Sequence, residues 1–101
     1  MRVVLCNAPP DQAERIARAL VESRVAACVN LVPGVISIYR WKGSVEREPE
    51  TTMLIKTADD RVATLMEELK KLHPYEVPEM VVLPVADVNA PYAQWVEDET
   101  R

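Results

Sequence analysis

Between Ala26 and Trp41 the chain reads AACVNLVPGVISIYRW, a β-type run of sixteen residues interrupted only by Pro33-Gly34. A Pro-Gly step can bend or bulge a strand without ending it, so the run is expected to form one long strand. Lys42-Gly43 then gives a turn, and residues 44 to 57, closing on TTMLIKT, read as a returning strand broken near Pro49. Sixteen residues at about 3.3 Å each reach roughly 50 Å. A domain of about 100 residues is only roughly 35 Å across. Such a hairpin projects beyond its own domain, and its apolar edge is a pairing hazard unless another copy of the chain satisfies it. Strand length alone therefore predicts an oligomer, a bend at Pro33-Gly34 being the one way to shorten the ribbon.

The rest of the chain supplies the frame for that hairpin. Residues 2 to 8 are mostly apolar and stop at Pro9-Pro10, as a central strand would. Asp11 and Glu14 have capping-box spacing, and Ala13, Ile16, Ala17, Leu20 and Val21 recur at helical intervals, which predicts a helix over 12–24. Val62, Leu65, Met66, Leu69 and Leu72 mark a second helix, with Asp59 and Asp60 at its positive end and Pro74 disfavouring helical geometry at His73. Met80 to Val85 reads as a fourth strand. Asn89 and Pro91 open a last short helix whose Tyr92, Trp95 and Val96 are expected to pack onto the core. The order β-α-β-β-α-β with an added helix is the ferredoxin-like α+β arrangement, expected as a single domain over 1–101. Helices then cover one sheet face only, and the other needs a partner.

Composition removes several classes of function. The net charge is −4 with Lys and Arg scattered singly, so no basic stripe offers itself to nucleic acid. The apolar run before Asn7 is too short for a signal-peptide core or a membrane span, which predicts a cytoplasmic protein with no membrane partner. Two glycines against eight prolines follow the trend of heat-stable proteins. One histidine leaves no Ser-His-Asp or Cys-His arrangement, and two glycines leave no phosphate loop, so a non-enzyme is expected.

Three groups of residues remain for chemistry. The segment HPYEVPE places His73, Tyr75, Glu76 and Glu79 together on the connection into the fourth strand, a polar pocket rim or simply a proline-stiffened loop. Glu76 or Glu79, if buried, is the type of group that serves as a general base. The thiols Cys6 and Cys28 suit copper(I) or zinc, with His73 as a nitrogen donor, although the 4-1-3-2 strand order separates the two cysteines and reduced structural thiols are the simpler reading. Tyr39, Arg40, Trp41 and Lys56 on the hairpin either line a crevice or make cross-strand pairs.

The strings LCNAPPD, AACVNLVPGVISIYRWKG, LIKT, HPYEVPEMVVLPV and YAQWV, in this order and over nearly the whole chain, closely resemble the CutA divalent-cation tolerance family. The resemblance implies a homotrimer whose long hairpins pair between subunits, akin to the PII signalling proteins. It also implies a role in tolerance of copper and other divalent metals, with Cys6, Cys28 and His73 as the positions matching the family's metal ligands. Glu68 and Leu72 stand where some relatives carry further thiols or histidines, so a metal site here is poorer in soft donors. Direct metal binding is thus one expectation. A PII-like sensor with a small anion or metabolite near Tyr39, Trp41, Lys56 and Glu79 is the second, and a scaffold for an unknown protein partner is the third.

Overall fold

A computed structural model describes all of residues 1–101. Four strands, β1 (Arg2–Ala8), β2 (Cys28–Trp41), β3 (Ser44–Thr57) and β4 (Val81–Pro84), form one antiparallel sheet in the order β2-β3-β1-β4. With α1 (Ala13–Glu22), α2 (Val62–Leu72) and α3 (Ala90–Glu99) this is the ferredoxin-like order with a C-terminal helix added.

One core lies between the helices and the sheet. Alternate residues of the central strands, Val4, Cys6 and Ala8 of β1 with Met53 and Ile55 of β3, meet Ile16 and Leu20 of α1 and Leu65 and Leu69 of α2. Asp11 and Glu14 do not form the expected capping box: Gln12 is the N-cap, without a side-chain cap bond, and its side chain instead accepts from Arg15. At the other end of α1, Arg24 takes φ 63°, and the N–H groups of Arg24 and Val25 donate to Val21 and Leu20, a Schellman stop made without glycine. His73 follows α2 with an extended backbone, as the proline after it requires. On α3 the inward stripe runs through Val96 and Thr100, which are buried, so Trp95 stands about 100° away around the helix and is exposed rather than packed on the core.

The hairpin is as long as its sequence suggests. Each strand has 14 residues, and the molecule measures 44 Å along its greatest axis against 26 and 22 Å across. Lys42 (φ 49°) and Gly43 (φ 84°) make the two-residue turn with both φ angles positive, matching the twist of the strands they join. Val32 pairs with Thr52 and Val35 with Glu50, so Pro33 and Gly34 together oppose Thr51 in a β-bulge. β3 is not broken at Pro49: the residue pairs with Ile36. Pairing of β1 with β3 ends at Ala8 and Thr51, so Pro49 lies in a two-stranded ribbon with a free edge, where a missing N–H is tolerated.

Two apolar surfaces are left uncovered. All four residues of edge strand β4 are exposed, and on the ribbon Ile36, Ile38 and Val45 face solvent, Ile38 with 70 % of its surface. No helix is long and apolar enough to cross a membrane.

Candidate functional site

The bulge sets the face on which ribbon side chains emerge. Before it, Cys28, Asn30 and Val32 share a face with Lys56, Leu54 and Thr52; after the extra residue, Val35, Ser37, Tyr39 and Trp41 share the face of Glu50, Glu48, Glu46 and Ser44. Tyr39 and Trp41 thereby come onto the side carrying Glu50. The loop after α2 closes against them, and between loop and ribbon lies an open cavity of about 650 Å³ walled by Tyr39, Trp41, Tyr75, Glu50, Glu76 and Glu79.

A chain of hydrogen bonds fixes the loop wall. His73, 7 % exposed, holds the end of β1 through Nε2, which lies 2.8 Å from the Asn7 carbonyl oxygen. Its Nδ1 accepts the Tyr75 N–H at 3.1 Å, so the Nε2–H form satisfies both contacts. The Tyr75 hydroxyl donates to Glu50 Oε2 at 3.0 Å. Glu50 is only 6 % exposed and has no ion-pair partner within the chain. Burial first, and the carboxylates second, raise the titration of the neighbouring groups. Burial, the hydrogen bond to Glu50 and its charge push the Tyr75 hydroxyl up. Desolvation raises Tyr39, with Glu48, Glu50 and Glu46 adding to it. Burial, then Glu79 and Glu50, push the Cys6 thiol up to about 12.

Comparison with known proteins agrees with this architecture. Residues 2–99 match the family model described as CutA1 divalent ion tolerance protein. The chain belongs to the CutA1 family. It is 50 % identical to the divalent-cation tolerance protein CutA of Thermus thermophilus over 97 % of this chain and 96 % of that one. It is also 51 % identical to human Protein CutA over 88 % of this chain, which spans about half (50 %) of the human protein's length. Among solved structures, the PII-like protein CutA from Nostoc sp. PCC 7120 in apo form superposes with a TM-score of 0.96 at 45 % identity, covering 100 % of this chain and 98 % of that one.

The metal donors implied for a CutA1 protein do not converge within the chain. Cys6 pairs with Met53 on the helix-covered face, whereas Cys28 pairs with Lys56 on the opposite face, with β3 between them. Cys6 is fully buried and held as a thiol, the form that is a poor ligand. His73 comes near it only through the Asn7 carbonyl, which both approach, and both ring nitrogens are already engaged. Nowhere in the chain do three His, Cys, Asp or Glu side chains stand close enough to hold a metal ion.

The binding residues fare differently. Tyr39, Trp41, Tyr75, Glu76 and Glu79 are brought together around the cavity. Lys56 is not: it pairs across from Cys28 at the far end of the hairpin, where its ammonium contacts Asn30 Oδ1 and stands 4.0 Å from the Cys28 sulfur. Tyr92 of α3 lies beside the same thiol. Sequence reasoning passed over Glu50, because the alternating Glu46, Glu48 and Glu50 look like a solvated strand face until the register opposes them to Tyr39, Ser37 and Val35.

Proposed function

We propose that this chain serves divalent-cation tolerance as a homotrimeric, PII-like ligand-sensing protein whose sensor site is the cavity between ribbon and loop. The observation that carries the reading is the convergence of Tyr39, Trp41, Tyr75, Glu76 and Glu79 on one cavity in a chain where no three metal donors meet. Its volume of about 650 Å³ is that of a small-molecule site. Assembly is supported by the exposed apolar edge β4 and by Ile36, Ile38 and Val45 on the ribbon, surfaces that a second copy would cover. In this role no catalytic group is required of the site.

The test is calorimetric titration of the reduced, assembled protein with copper(I), with zinc and with pools of small metabolites. Each titration is repeated on Tyr39→Ala and on Cys28→Ser. Metabolite binding lost in Tyr39→Ala and kept in Cys28→Ser is the expected outcome. Saturable metal binding lost in Cys28→Ser and indifferent to Tyr39→Ala would return the role to direct metal handling by Cys6, Cys28 and His73, with donors completed by another copy.

A further inference from the structure

Glu50 sets a condition on whatever fills the cavity. A carboxylate this deeply buried is stabilised by hydrogen bonds and a compensating charge, and Glu50 turns toward the open cavity for them. Here one oxygen accepts from Tyr75, the other has no donor from the protein, and no Lys or Arg pairs with the group. Glu76 and Glu79 add two more carboxylates to the lining, and no basic residue stands among the lining side chains. Lys42, at the ribbon's turn, sits over the Trp41 ring at 5.6 Å and forms no ion pair. Arg40 and Arg47 emerge on the opposite face, across from Val45 and Ile38. Burial is the main reason Tyr39, Tyr75 and Cys6 titrate high, and the charge of Glu50 adds to the shift of each.

This excludes three kinds of occupant. An anion would meet three carboxylates and no basic side chain. A bare metal ion lacks three converging donors. A neutral molecule would displace water from the Glu50 carboxylate without bringing a compensating charge. What remains must bring a positive charge, an N–H for the free oxygen of Glu50, and an apolar body for the faces of Tyr39, Trp41 and Tyr75, which favour cations as well as methylene groups. Resting on the reading of the cavity as a ligand site, we propose that its ligand is a small organic cation, an alkyl amine or amidine with at least one charged N–H donor aimed at Glu50.

The probes are putrescine, spermidine and agmatine, with citrate as the anionic control, titrated calorimetrically into the assembled protein and into Glu50→Gln. Circular dichroism first verifies that the variant is folded. Glu79→Gln provides a second variant should Glu50→Gln fail to fold, with a weakening of about threefold expected because its charge is one of several. Saturable binding of at least one amine, weakened about tenfold or more in Glu50→Gln, is expected, since a charge-assisted hydrogen bond is lost. Citrate should not bind. Unchanged amine affinity in the folded variant overturns the proposal, as does the absence of amine binding. Citrate binding that Tyr39→Ala abolishes also overturns it while leaving the ligand-sensing reading intact. If no probe binds and Glu50→Gln dissociates the oligomer on light scattering, the neutralising cation is a Lys or Arg of a second copy, and the free-amine ligand is refuted.

Discussion

Replacing Tyr75 by Phe removes a single oxygen from the wall of the cavity and leaves the Glu50 carboxylate, 6 % exposed, without its donor at 3.0 Å. A hydrogen bond to a charged group contributes about 1.5–3 kcal/mol, and the exposure of the Tyr75 ring puts this one at the lower end, about 1.5 kcal/mol. Urea unfolding of the native chain, Tyr75→Phe, Glu50→Gln and the double variant closes a thermodynamic cycle that isolates the pair. The expected coupling is about 1 kcal/mol or more, because Glu50→Gln keeps an acceptor but loses the charge. At a slope of about 1–3 kcal/mol per molar urea, Tyr75→Phe should move the midpoint by roughly 0.5–1.5 M. Additive single effects, with coupling under about 0.3 kcal/mol, would refute the claim that this contact organises the wall.

Four further outcomes follow from the same geometry. Stability should fall as pH rises from about 9 through about 12, because the Cys6 thiol stays protonated in the fold while the unfolded chain ionises; Cys6→Ala should make that stretch of the unfolding curve shallower, the raised Tyr75 hydroxyl keeping part of the slope. Iodoacetamide at mildly alkaline pH should modify half-buried Cys28 well before buried Cys6, as peptide mass spectrometry of quenched samples will show. Arg24→Gly should stabilise the chain by about 0.5–1 kcal/mol in urea, since glycine takes the left-handed position at lower cost and the ion pair with Glu99 is exposed. Ile38→Pro, opposite Arg47 in the ribbon, should reduce the proposed trimer to smaller species on light scattering; an unchanged mass would place the interface elsewhere.

The elements were legible because they depend on periodicity. The helical spacing of Ile16, Leu20, Leu65 and Leu69 and the length of the AACVNLVPGVISIYRW run suffice to give the order of elements and a hairpin that outreaches its domain, and the strand order then follows from the ferredoxin-like arrangement. Details that depend on neighbours were not legible. Whether Pro49 breaks a strand depends on whether a third strand lies beside it, and β1 stops at Ala8, opposite Thr51. Trp95 shares helical spacing with Val96 and Tyr92 in a helix whose inward stripe is narrow, and spacing does not say where the stripe's edge falls. Of the site, the aromatic and acidic residues of the ribbon and of HPYEVPE could be singled out by type. Glu50 could not, since its burial comes from a loop some twenty-five positions later, and Lys56 was drawn in only by its place on the same hairpin.

The cavity straddles a mechanical boundary. From Thr51 to Thr57 the hairpin is part of the sheet seated on the core; from Ser44 to Glu50 two strands continue without a third. Two-stranded ribbons are marginal in water, so in a dissociated chain their amide hydrogens should exchange faster than those of β1 and the core half of β3, and a second copy laid on the ribbon should slow them. The site therefore has a stiff wall, His73 and Tyr75 tied back to β1, and a compliant one carrying Tyr39 and Trp41. An occupant that bridges the two converts its binding energy into stiffness of the ribbon while the core stays still, so it would be read out as a change in fluctuation rather than in shape.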